Sequence, residues 1–261
     1  MNLRKILLTS VFAILAALPG SSLHAAEPGA SVYLPNMHGK SLTTPVAWGA
    51  SNNVVFVGIG GNYPSPYTSD ADGAAVAGFG VGDPVKNLGL QVALVSLDLT
   101  EWKEYSMSLH LSRNLTKTTA VGVGAESIML TSGGDSDKSY YVVFSQGIQA
   151  NPFIDHQNGK SKLHYSIGAG TSRFGEKSPM DTDSGKGKYG TYVFTNVAYE
   201  VANSFNIIAD WNGLNLNAGV SKTFRFKGLP PIAVTLGLAD LTKYSGDGVR
   251  IIGAIGTGFQ I

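Results

Sequence analysis

Along residues 105–112, YSMSLHLS, every second position is apolar: Tyr105, Met107, Leu109 and Leu111 alternate with Ser106, Ser108, His110 and Ser112. A period of two puts the oily residues on one face of a strand and the polar ones on the other. The pattern returns in LHYSIGAG, where Leu163, Tyr165, Ile167 and Ala169 oppose His164, Ser166, Gly168 and Gly170. It returns again in LNLNAGVSKTFRF, with Leu216, Ala218, Val220, Phe224 and Phe226 against Asn215, Asn217, Ser221, Thr223 and Arg225. Less regular blocks predict strands near 53–61, 73–82, 88–98, 119–129, 139–149, 188–201, 204–211, 231–241 and 249–261. The total is about twelve strands, with roughly ten to fourteen compatible with the boundaries. In the block at 88–98 the apolar positions change face after Leu94, which predicts a bulge or a shifted boundary. The block at 139–149 is apolar on both faces and leaves its orientation open.

Each block has the length that a tilted strand needs to cross a bilayer, and sustained helical periodicity is almost absent. The faces opposite the oily ones carry Gly, Ser, Asn and Thr with few charges. A soluble sandwich or lipocalin-like barrel shows the same alternation but turns its oily face inward. The expected fold is all-β, a closed antiparallel transmembrane β-barrel, because strands in hydrocarbon must pair every backbone group. Loop lengths give a check on orientation, since such barrels have short turns on the inner side and longer loops outside. Taking the first strand as outward, NYPSPYTSDAD, LTSGGDSDK and SRFGEKSPMDTDSGKG fall outside, as expected. Two segments fit less well: ANPFIDHQNGKS is long for the inner side, and Asn212-Gly213 is short for the outer. Asn-Gly is itself a hairpin signal, favouring a type I′ turn with positive φ at both central residues.

The first 26 residues read as a signal peptide: Arg4 and Lys5, an apolar run from Ile6 to Leu18, then small residues up to Ala25 and Ala26. The run is too short for a membrane helix. Residues 27–50, with Pro28, Pro35 and Pro45, form an irregular lead-in, an extra edge strand or a plug, and residues 51–261 form the barrel. Removal of residues 1–25 takes away two basic groups and shifts the net charge from +1 to −1. No strong field remains to attract nucleic acid. Cysteine is absent, so there is no disulfide framework, thiolate metal site or acylated cysteine.

The last strand, RIIGAIGTGFQI, keeps its alternation to the final residue. Gly256, Phe259 three residues later and Ile261 at the end resemble the C-terminal assembly signal of Gram-negative outer-membrane β-barrel proteins, with Ile in place of the usual terminal aromatic. The resemblance implies a bacterial outer-membrane location, insertion by the barrel assembly machinery, lipid as a partner, and closure of the last strand on the first. Tyr105, Tyr140, Tyr189, Tyr199, Trp211, Phe224 and Phe259 are then candidates for interfacial aromatic girdles.

Candidate lumen-lining residues are Gln91, His110, Glu126, His164, Glu200, Asp210, Asn215, Asn217, Arg225 and Arg250. Both signs of charge are present, so the set suits either an aqueous path or a network that closes it. The pairs His110-x-Ser112 and His164-x-Ser166 resemble the strand-borne His-x-Ser of outer-membrane phospholipases and lipid A deacylases. In those enzymes the pair faces lipid and Asn commonly follows the Ser, whereas here Leu109 and Leu111 face lipid and Arg113 follows Ser112. Closely spaced glycines in GFGVGDP lead from strand to turn, which excludes a nucleotide loop. Asp135, Asp137, Asp181 and Asp183 read better as solvated loop charge than as a calcium site. No cofactor or metal is implied. The expected function is a porin-like passive channel for small polar solutes, ahead of a structural or adhesive surface barrel, with a lipid hydrolase third. Oligomeric state and solute are not readable from sequence.

Overall fold

The computed structural model describes residues 40–98, 103–131 and 137–261. The signal peptide and residues 27–39 of the lead-in lie outside the described residues, as does Asp135. Twelve strands follow one another: β1 (Val54–Tyr63), β2 (Asp72–Gly82), β3 (Gly89–Asp98), β4 (Lys103–Asn114), β5 (Thr119–Met129), β6 (Ser139–Gly147), β7 (Leu163–Gly170), β8 (Val193–Ala202), β9 (Phe205–Trp211), β10 (Leu216–Phe224), β11 (Ile232–Ala239) and β12 (Arg250–Gln260). Each pairs antiparallel with its neighbours in sequence, and β12 closes the barrel against β1 through pairs such as Val55 with Phe259 and Ile59 with Ile255. Closure leaves no sheet edge, so the backbone is satisfied without water.

A belt of large apolar side chains points away from the barrel. Val57, Leu94, Val142, Ile207 and Leu236 each keep more than half their surface exposed, at 52–56%. Outward valine, isoleucine and leucine around the whole wall, with polar groups buried inside, invert a soluble core and make this a lipid-facing belt. Aromatics gather at its two rims: Tyr63, Tyr105, Tyr140 and Trp211 at the outer end, and Phe79, Tyr199, Phe224 and Phe259 at the inner end. Tyr189 lies instead in the loop after β7, where it bridges Glu176. That loop reaches to Tyr192, so the strand expected from residue 188 begins at Val193.

The faces of β4, β7 and β10 are as the alternation predicts. In β3 the face does not switch: Gln91, Ala93 and Val95 are all buried inward, in unbroken register with β2 and β4. The lumen there is apolar, lined also by Val54, Phe56, Ala74 and Val76, so a polarity rule misreads the strand. In β6, Tyr141, Val143 and Ser145 face inward, while Tyr140 and Val142 face lipid. The one register shift in β5 falls around Glu126 and Ser127, opposite Met107 and Leu109 of β4. Ser127 takes φ 55° there. A bulge of this kind re-aims a side chain, here Glu126.

The Asn212-Gly213 hairpin forms, but only Gly213 has positive φ, at 96°, so it is not a type I′ turn. Asn212 Oδ1 instead accepts the Leu214 and Asn215 amides, an Asx-type turn. A side chain on Gly213 would also collide with the Phe174 carbonyl, because the loop after β7 presses onto this turn.

Candidate functional site

The barrel interior is occupied. Residues 40–50, KSLTTPVAWGA, run through it without regular secondary structure, and every one of them is buried. The segment joins β1 at the inner end and rises along the wall. Ala50 N–H donates to Gln91 Oε1 (2.8 Å), Ala47 N–H to Ser145 Oγ (2.8 Å), and the tip at Leu42–Thr44 reaches Asp210. Asp210 lies near the outer end of β9 and accepts the Leu42 and Thr43 amides (3.0 and 2.7 Å) and the Thr43 hydroxyl (3.1 Å). Ser41 Oγ (3.3 Å) and Asn217 Nδ2 (2.8 Å) also donate to it. Five donors thus converge on this one buried carboxylate. Asn196 Nδ2 holds the Thr44 hydroxyl at 2.9 Å, and Asn217 Nδ2 holds that of Thr43 at 2.9 Å. The Lys40 side chain turns back toward the inner end, to Asn206 Oδ1 (2.6 Å) and Glu200 (3.5 Å).

Apolar residues of the segment seat in two patches of the wall. Leu42 and Ala50 join the Val54, Phe56 and Val76 cluster, and Val46, Ala47 and Trp48 join Tyr141, Val143, Phe174 and Phe194. His110 locks the second contact: it faces the Ala47 carbonyl through Nε2 (3.1 Å) and the Tyr141 hydroxyl through Nδ1 (2.8 Å). The carbonyl can only accept, so Nε2 carries the proton and Nδ1 accepts from the tyrosine. A Cβ on Gly122 would lie 2.5 Å from the His110 ring, so this wall position admits only glycine beside it.

From outside, the loop at residues 171–192 folds into the mouth. Its 3-10 turn (Ser172–Phe174) buries Arg173 and Phe174. Arg173 Nε binds Glu126 Oε2 at 2.5 Å, and Nη1 donates to the Thr43 carbonyl at 3.1 Å, so the loop touches the tip of the lumen segment. Phe174 stacks on Phe194 at 4.6 Å between ring centres. The helix α1 (Pro179–Asp183) starts with a capping box between Ser178 and Asp181. Asp181 accepts from the Tyr67 hydroxyl, Ser245 Oγ (2.6 Å) and Gly246 N–H (2.8 Å), tying three outer loops together. Burial pushes its carboxyl up, but these donors outweigh that and hold it below the usual range. Burial, then Asp181 itself, push the Tyr67 hydroxyl well above its usual range, so it stays a donor. A second tie lies beside it: Arg250 binds Asp240 (2.6 and 2.7 Å) and Asn62 (3.1 Å), and Asn215 binds Asp240 (3.0 Å) and the Ser245 carbonyl (2.8 Å).

The inner end differs. The long turn at residues 148–162, the β8–β9 turn and Arg225 enclose a polar cavity of about 610 Å³, with His164 and Glu200 in its wall. Arg225 is exposed just beyond the end of β10 and donates to Ser204 Oγ at 2.5 Å. It therefore lines the inner rim and not the lumen wall between strands. The other nine candidate residues, Gln91, His110, Glu126, His164, Glu200, Asp210, Asn215, Asn217 and Arg250, are placed on the inner face or its rims, as described above.

Neither His-x-Ser pair is joined by a hydrogen bond. His110 is held by Ala47 and Tyr141, while Ser112 Oγ points to the Gly89 carbonyl (3.4 Å). Ser166 Oγ pairs with Ser145 Oγ at 2.7 Å. Among the described residues no group of three or more His, Asp or Glu could hold a metal ion. Three contributors carry no period-two signal: Lys40, Arg173 and Asp181, all on segments outside the strands. The Ser178-x-x-Asp181 spacing was the one readable sign of local order among them.

No family model matches the chain, and no curated protein matches it. Several solved structures are similar to it. The KdgM porin in complex with disordered oligogalacturonate is 10% identical, with a TM-score of 0.48 over 80% of this chain and 99% of that one. The NanC porin is 11% identical, with a TM-score of 0.45 over 78% of this chain and 100% of that one. Outer membrane phospholipase A from Escherichia coli is 9% identical, with a TM-score of 0.41 over 79% and 95%. The fold itself rests on the closed strand order and outward belt of this chain, which are those of an outer-membrane β-barrel.

Proposed function

We propose that the protein is a porin-like passage for small polar solutes in the bacterial outer membrane, held closed by residues 40–50. The observation that carries this reading is the chemistry of the occupied lumen. Its wall presents Asn196, Asn206, Asp210, Asn217 and Ser145, and these groups bind a separate, irregular chain segment. A barrel built only as a rigid strut could fill its interior with side chains from its own strands. Here a polar wall is paired with an insert joined to it only at one described end, and removing the insert would leave groups suited to water and hydroxylated solutes. Residues 40–50 act as the plug, and the lipid belt and assembly signal at Gly256, Phe259 and Ile261 serve insertion by the barrel assembly machinery.

Proteoliposome swelling tests the reading. Vesicles with the full chain should swell slowly in small sugars, and vesicles with a folded variant lacking residues 40–50 should swell much faster. Equal, slow swelling of the two would contradict a passage. The tied outer surface around Asp181 supports a second reading, a structural or adhesive barrel. That reading predicts the equal result, together with altered surface binding when the loop at residues 172–187 is replaced.

A further inference from the structure

The cavity at the inner end carries unbalanced positive charge. Lys160, Lys162 and Arg225 line it, and none has a carboxylate partner among the described residues. Two carboxylates share the wall. Glu200 is already engaged by Lys40 and by the Ser204 amide (2.8 Å), and Asp155 accepts from Gln157 N–H (2.9 Å) and Asn158 Nδ2 (2.6 Å) within its own turn. The lining thus sets three cations against two carboxylates, neither in ion-pair contact with these cations among the described residues, while Asn203 and Ser204 supply neutral polar atoms beside them.

A second observation is independent of charge. His164 is 2% exposed, lies in the same wall, and neither ring nitrogen makes a well-aligned hydrogen bond, although the Lys162 backbone lies beside the ring. Its one described ring neighbour is Trp48 of the plug, edge-on at 5.7 Å. A buried polar ring with no well-formed hydrogen bond is costly unless something else satisfies it. His110, at a comparable depth, has both nitrogens satisfied by protein.

We propose that this inner cavity is a binding site for a small oxyanion, carboxylate or phosphate, held by Lys160, Lys162 and Arg225 with His164 completing the contact. Cations with flexible stems at a cavity mouth attract such a group, and charge-assisted hydrogen bonds fix it. The site deepens the porin-like reading and rests on it for the idea that solute travels onward. Binding itself is read on solubilised protein without any flux, so the two can fail separately.

Isothermal titration of the full-length, detergent-solubilised protein tests the proposal with three probes: glucuronate, inorganic phosphate and glucose. At least one anion should bind saturably, more weakly as salt rises, and glucose should not bind. The anion that binds more tightly identifies the oxyanion class. The double variant Lys160→Gln/Lys162→Gln changes one exposed and one half-buried side chain and leaves the backbone pairing of Lys162 in place, and it should weaken anion binding about tenfold or more. Binding should also change Trp48 emission, and His164→Ala should remove that change while leaving the barrel folded. Equal binding of anions and glucose, or unaltered anion affinity in the double variant, would overturn the proposal.

Discussion

The two mouths of the barrel are built on opposite plans. At the outer mouth the buried ionic groups are paired among the described residues: Asp181 joins three loops and meets Lys186, Arg250 holds Asp240, and Arg173 reaches inward to Glu126 and to the plug itself. At the inner mouth Lys160, Lys162 and Arg225 face a cavity of about 610 Å³ without ion-pair partners among the described residues. Charge that is mutually satisfied closes a surface, whereas charge left without a partner invites one. The contrast places the seal outside and the plug's covalent attachment to β1 inside.

Breaking the seal at its deepest point should have the largest effect. Arg173→Ala leaves Glu126 buried without its partner and releases the Thr43 carbonyl. We expect a loss of about 3–5 kcal/mol, read as a lower unfolding midpoint in denaturant, because removal of one member of a buried ion pair costs that much. Next comes the latch on the plug. Asp210→Ala strands the Leu42 and Thr43 amides, at about 1–3 kcal/mol, and should raise brief opening events in bilayer recordings without lowering the amount of inserted barrel. Gly213→Ala should cost about 1–3 kcal/mol through its positive φ and its clash with the Phe174 carbonyl, and limited proteolysis should then cut the loop at residues 171–192 faster.

The smallest effect concerns pH. The folded Asp181 carboxyl is held below its ordinary value, so the stability it lends is fully present above about pH 4 and is lost as pH falls through the lowered folded value. Protease resistance of the outer loops should thus be flat from neutral to mildly acidic pH and drop only in strong acid. Asp181→Asn should abolish that pH dependence.

Much of the barrel was legible because alternation is local: a residue and its second neighbour suffice to assign a face in β4, β7 and β10. The apolar stretch of lumen at Val76, Ala93 and Val95 was not, since polarity is a proxy for facing and fails where the inside is also oily. The plug was harder still. LTTPVAWGA has no period, and its meaning lies in partners far away in sequence, such as Thr43 with Asp210 and Lys40 with Asn206. The lumen candidates could be named individually, but which of them bind the plug and which seal the mouth depends on how the barrel closes. The bulge that turns Glu126 toward Arg173 leaves no pattern in sequence at all.

Single-channel recording in planar bilayers tests the central claim most directly. The full chain should be silent or nearly so, and a correctly folded variant lacking residues 40–50 should give discrete, long-lived conductance steps. A folded, inserted variant that stays as silent as the full chain would contradict the account.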